Sequence, residues 1–142
     1  MKTVGFGRTA IRRLVLLVSG LLAVGIATTI LALPDTFYAA YGIEVANDIN
    51  LINELKAPAG VLFLAGSMML AGAFLKGLSF AALVTGATVY LAYGSSRLLS
   101  IAVDGVPHSS LVTAAGLEII IGAVCVIVLL PDLKDRQLRT NH

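Results

Sequence analysis

Apolar and polar positions alternate along this chain in long blocks. Residues 14–33, 57–75 and 77–96 carry no charged side chain, and residues 106–130 are interrupted only by Glu118. A helix needs about 20 mostly apolar residues to cross a hydrocarbon core of about 30 Å, and each block is long enough. In lipid every backbone polar group must be bonded internally, which leaves helices or a closed barrel. These blocks are too long and too continuous for barrel strands. The pattern predicts four spanning helices, at about residues 12–33, 57–75, 77–100 and 108–130. The expected fold is all-α: one transmembrane domain, an integral membrane antiparallel four-helix bundle.

The polar stretches between the blocks set the connections. Only Lys76 separates the second and third blocks, so these two helices are expected to be antiparallel neighbours across a tight turn. Asp104-Gly105-Val106-Pro107 supplies turn chemistry between the third and fourth. Residues 34–56 form a longer outer loop. There Asp35 is expected to cap a short helix, Thr36–Tyr41, ending at Gly42. Phe37, Tyr38 and Tyr41 suit a membrane interface, where amphipathic rings are enriched. Asn47 or Asp48 is the expected cap of the next helix, and Ile49, Ile52 and Leu55 give it an apolar stripe leading into the second span. Ser109-Ser110 reads as the N-cap of the fourth span and His108 as a solvated loop residue. Residues 131–142 read as a cytoplasmic tail, lying on the headgroups or disordered. The first block has a basic flank, but it exceeds the roughly 7–15 residues of a signal-peptide core and ends in no Ala-x-Ala pattern, so a retained span is expected. Ser19, Gly20, Gly25, Gly60, Gly66, Gly86, Ala114, Ala115, Gly116 and Gly122 are the small residues expected to let helices approach.

Composition agrees with a lipid-facing chain. Hydrophobic residues make up 58% and charged residues 13%, against about 45–50% and about 25% in soluble domains. A net charge of +2 without blocks of like charge gives no reason to expect nucleic-acid binding. Cys125 is the single cysteine and there are two histidines, too few for a Cys/His metal cage. No Walker, Rossmann or HExxH pattern is present, and no nucleophile has a matching base. No catalytic residue, metal or cofactor is assigned, and enzymatic activity is not expected.

What changes the picture is a polar constellation placed where polarity is expensive. A charge facing lipid at mid-bilayer costs about 2.5–3.5 kcal/mol or more, so Glu118 and Arg97 are expected to face inward. Tyr90, Tyr93 and Arg97 share one face of the third span, at spacings of three and four. Glu54 and Lys56 open the second span at a similar outer level. Arg97 can reach inward to Glu118 or outward to Asp104. Two readings stay open: a salt-bridge knot that fixes helix order, or a small outer-facing pocket with Arg97 and Glu118 as ligands.

The chain resembles the DUF4345 family, a group of small bacterial four-span membrane proteins. The resemblance rests on Pro34, on Tyr41-Gly42-Ile43 and on residues 53–60, which read NELKAPAG. Arg97-Leu98, Ser100, Asp104-Gly105, Pro107 and Glu118 carry it further. Lys56 stands where the family pattern has arginine, and Pro58-Ala59 replaces an aromatic–glycine pair. More distantly, the architecture is similar to DoxX-like four-span proteins, some of which are linked to quinone chemistry. The resemblance implies the fold and supports Glu54, Lys56, Arg97, Ser100, Asp104 and Glu118, which with Tyr90 and Tyr93 from the helix spacing make up the expected polar cluster. It implies no reaction.

Lys2, Arg8, Arg12, Arg13, Lys76, Lys134, Arg136 and Arg139 fall on the side of the termini, and only Lys56 and Arg97 on the other. By the positive-inside rule both termini are then cytoplasmic, and the family resemblance implies a bacterial inner membrane. The expected function is a non-catalytic accessory or assembly subunit beside other integral membrane subunits. The alternative is an outer-facing pocket that binds or moves a small amphipathic ligand, a membrane lipid or a quinone, through Arg97 and Glu118.

Overall fold

The computed structural model of the protein describes residues 3–45 and 48–140. They form helices α1 (Thr3–Ala32), α2 (Pro34–Ala39), α3 (Ile49–Phe74), α4 (Ser79–Asp104) and α5 (Ser109–Thr140), with a 3₁₀ turn at Lys76–Leu78 between α3 and α4. There is no strand among the described residues. The four long helices are each long and apolar enough to cross a membrane. Their outward faces carry large exposed aliphatics such as Leu14, Leu21, Leu64, Ile120 and Ile127. The fold is an all-α bundle. One end holds the start of α1, the α3–α4 turn and the end of α5, and is called the terminal end below. The far end holds α2 and the α4–α5 loop.

Local chemistry explains most of the helix boundaries, and corrects some expectations. Pro34 begins α2 at its first turn, where a missing N–H costs nothing and the ring presets φ. Asp35 therefore sits inside the first turn and is not the cap; that position belongs to Leu33, without a side-chain bond. Gly42 follows at φ 72, a left-handed conformation that glycine adopts without a Cβ clash. Asp48 caps α3: its Oδ1 accepts from the N–H of Asn50 at 2.9 Å and of Leu51 at 3.1 Å. Asn47, the alternative cap, lies outside the described residues. At α5 the cap is His108, not Ser109-Ser110. The His108 carbonyl accepts from Leu111 at 2.8 Å and its Nδ1 from Ser110 at 3.4 Å. The α5 helix also runs on through Pro131 to Thr140, so residues 131–140 are helix rather than a loose tail.

Glycines decide which helices touch. A Cβ on Gly66 would lie 2.8–2.9 Å from Val24 and Ala23, and one on Gly20 would lie 2.9 Å from Leu70. These contacts draw α1 and α3 together. A Cβ on Gly94 would lie 2.8 Å from Ile119, and one on Gly122 2.7 Å from Leu91, so α4 and α5 approach as closely. At the turn, a Cβ on Gly72 would overlap that of Ala82, and Ser79 Oγ donates to the Gly72 carbonyl at 2.6 Å. The matched positions run in opposite directions in every pair, so the neighbours are antiparallel. Gly25, Gly60 and Gly116, expected at helix contacts, have no such neighbour within 4 Å.

The bundle is thus two tight pairs, α1/α3 and α4/α5, joined through α3 and α4. Bonds among the described residues tie α1 to the second pair. Tyr90 Oη donates to the Ser19 carbonyl at 2.6 Å in the buried core. At the terminal end, Arg12 Nη2 donates to Asp132 Oδ1 at 2.6 Å. Nearby, Arg13 lies 4.9 Å over the Phe74 ring.

A cavity lined by Arg97 and Glu118

Two close-packed pairs joined along one seam leave space where they diverge. In the far half of the bundle a cavity of about 300 Å³ lies between them. Leu22, Ala23, Ile26 and Ile30 of α1 form one wall, and Leu55, Pro58, Ala59 and Leu62 of α3 the next. Val89, Tyr90, Tyr93 and Arg97 of α4 stand opposite, with Leu111, Ala114, Leu117, Glu118 and Ile121 of α5. Phe37, Tyr38, Tyr41 and Ile43 of the α2 segment close the far end. Leu22, Ile26 and Leu117 line the cavity yet are 45%, 41% and 53% exposed. Exposed lining residues thus give the cavity a side face between α1 and α5, towards the surface that lipid tails would occupy, and Ile43, 40% exposed, gives it another at the α2 end.

The charged pair sits on its wall. Glu118 is nine residues into α5, about 14 Å from its start at about 1.5 Å per residue. Arg97 is seven residues from the end of α4, about 10 Å by the same rise. The arginine reaches the remaining distance inward. Its Nε donates to Glu118 Oε2 at 3.0 Å and to Oε1 at 3.3 Å. Both oxygens share one N–H, so this is not the parallel two-nitrogen fork of an arginine–carboxylate pair. The Nη1 and Nη2 groups of Arg97 make no hydrogen bond among the described residues.

The four tyrosines divide in two. Tyr90 spends its hydroxyl on the Ser19 carbonyl, and Tyr93 donates to the Pro58 carbonyl at 3.4 Å. The hydroxyls of Tyr38 and Tyr41 have no hydrogen-bond partner among the described residues. Burial pushes the Tyr38 phenol above its ordinary pKa; Tyr93 adds to the rise and Arg97 opposes it. The Tyr38 ring and that of Tyr41 pack edge-on against Phe37, at centroid distances of 5.2 and 5.4 Å.

Of the residues singled out in the sequence, the cavity brings together Tyr90, Tyr93, Arg97 and Glu118. Glu54 and Lys56 do not line it: the α3 wall is built from Leu55, Pro58, Ala59 and Leu62, and Glu54 is exposed. Ser100 Oγ donates instead to Asp104 Oδ2 at 2.9 Å, on the exposed last turn of α4. Depth alone does not bring a residue to the site; the helix face must also agree. Sequence reasoning placed Phe37, Tyr38 and Tyr41 at the membrane interface and missed that they roof a cavity. The available signal was an aromatic cluster at positions i, i+1 and i+4, in a short helix and the turn that ends it, directly after a span. Among the described residues no group of His, Cys, Asp and Glu is suited to hold a metal ion.

Four apolar helices of spanning length, packed around a largely apolar cavity with one ion pair in its wall, define a small multi-pass α-helical membrane protein. The chain belongs to the DUF4345 family: the family model, described as a domain of unknown function, matches residues 11–129. That range takes in α2, α3 and α4, most of α1 and of α5, and the whole cavity. No curated protein and no solved structure matches the chain.

Proposed function

We propose that this protein binds a small amphipathic membrane molecule in the cavity between its two helix pairs, with both termini on the cytoplasmic side of a bacterial inner membrane. The observation that carries the proposal is that Arg97 and Glu118 flank an open space instead of being packed over. A salt-bridge knot needs no cavity, and an arginine used only as a knot gains nothing from unpaired terminal N–H groups. A volume of about 300 Å³ lies at the lower end of small-molecule sites, which run about 300–1,000 Å³ with apolar walls and a few fixed polar groups. The apolar body of the ligand lies against Ile26, Leu62 and Leu117, and its polar head meets Arg97 under the roof of Tyr38 and Tyr41.

Native mass spectrometry of the protein extracted in mild detergent tests this. The expected result is a bound small molecule that survives delipidation better than the surrounding lipid. Ala114→Trp, which fills the cavity, loses the adduct while keeping its thermal midpoint. An unmodified protein that emerges bare after extraction and still takes up no added lipid in the cavity sinks the proposal.

A second reading is an accessory subunit of a larger membrane complex. Gly25, Gly60 and Gly116 support it, because each has open space where a neighbouring helix can approach closely. Co-purification of a second integral membrane chain is its expected signature. A particle containing only this chain, in membranes where it is expressed at natural levels, counts against it.

A further inference from the structure

The charge balance of the cavity restricts the chemistry of its occupant. Arg97 and Glu118 are the only two residues with formally charged side chains among those lining it. They are paired at 3.0 Å, so the site as a whole is neutral. The other acidic and basic groups of the far end (Asp35, Glu44, Asp48, Glu54, Lys56, Asp104 and His108) do not line the cavity. A ligand with an anionic head would bring one uncompensated charge into a low-dielectric space. Such a charge is costly unless paired, and the arginine that would pair it is already neutralised by Glu118.

Hydrogen-bonding capacity points the same way. A guanidinium has five N–H donors and no acceptor. One of the five is committed to Glu118, which leaves four on Nη1 and Nη2. The hydroxyls of Tyr38 and Tyr41 add two further donors, and each can also accept. On the acceptor side stands the Glu118 carboxylate, already shared with Arg97 Nε. The wall has surplus donors and no surplus positive charge. It is suited to acceptor oxygens that carry no full charge.

We infer that the cavity selects a lipid with an electrically neutral head rich in carbonyl or ester oxygens, and discriminates against anionic lipids of the same shape. This rests on the binding role proposed above and adds to it a rule of head-group charge. It also assigns Glu118 a role: the carboxylate neutralises Arg97, so that the arginine acts as a hydrogen-bond donor and not as an anion trap.

A matched pair of probes tests the rule. Monooleoylglycerol and monooleoylglycerol phosphate share the acyl chain, the ester and the glycerol, and differ by the phosphate. Equal amounts are offered to the full-length protein in detergent, and the bound species are weighed by native mass spectrometry. The neutral probe is expected to be retained over its phosphate by about tenfold or more. Equal retention, or a preference for the phosphate, overturns the neutral-head rule while leaving the cavity a binding site. Retention of neither probe overturns both readings together. Glu118→Gln makes the reciprocal test: with Arg97 unneutralised, preference moves towards the phosphate. The competition in the unmodified protein decides the matter even where that variant does not fold.

Discussion

Arg97 is tied to Glu118 by one nitrogen, and that geometry limits how much stability the pair supplies. The Arg97 side chain is 35% exposed and that of Glu118 18%, so neither charge is wholly dependent on the other. Polar contacts between membrane helices contribute about 0.6–2 kcal/mol. A double-mutant cycle of Arg97→Gln and Glu118→Gln, read by unfolding in mixed detergent, is expected to give a coupling within that range. A coupling well above it would make the pair a structural knot. Packing residues carry the larger stakes. Gly94→Val drives a branched side chain towards Ile119, whose backbone N would lie only 3.1 Å from the new Cβ. Overpacking of this kind costs about 1–3 kcal/mol. Gly116→Val, on the same pair of helices but with nothing within 4 Å, is expected to stay within about 0.5 kcal/mol. Thermal melting of the two variants side by side separates a helix contact from an idle glycine.

At the scale of elements, α2 roofs the cavity and depends on a turn only glycine makes cheaply. Gly42 stands at φ 72, where a side chain costs about 1–2 kcal/mol. Gly42→Val is expected to speed amide exchange across residues 34–45 while leaving α4 and α5 protected; unchanged exchange there would show that the turn does not hold the roof. The elements also show how far a sequence can be read in this setting. The four spans were legible because lipid enforces long uninterrupted helices, and Asp48 was legible because an N-cap is local chemistry. The continuation of α5 beyond Leu130 was not legible, because the apolar run stops before Pro131. That proline lies where the apolar run ends, within reach of water that can take up the carbonyl left free, and α5 continues to bring Asp132 to Arg12. The site was legible in depth but not in direction. Arg97, Glu118, Glu54 and Asp104 all fall at the outer level by counting residues. Which of them meet depends on the rotation of each helix, and Gly94 and Gly122 set that rotation for α4 against α5. Gly94 has no mark in the sequence that separates it from Gly116.

At the scale of the molecule, a topology and an access route follow from the same arrangement. By sequence, eight basic residues flank the terminal side of the spans against two on the other side; this predicts a cytoplasmic C-terminus, so a fluorescent reporter fused there should mature and a periplasmic phosphatase should stay inactive. The two helix pairs are held at the terminal end by the Arg12–Asp132 bond and by the contact of Gly72 with Ala82. No comparable bond joins α1 to α5 at the far end among the described residues. The side opening between Ile26 and Leu117 is therefore the expected route by which a ligand exchanges with the bilayer, without passing through water. Cysteines introduced by Ile26→Cys and Leu117→Cys, bridged by a flexible dimaleimide, place a bar across it; Cys125 is buried and is not expected to compete for the reagent. Bridging before lipid is offered should prevent loading. Bridging after loading should hold the bound molecule through delipidation that strips it from the unbridged protein. If bridged and unbridged proteins load and release at the same rate, the ligand travels under α2 instead, and the mobile gate is the aromatic roof.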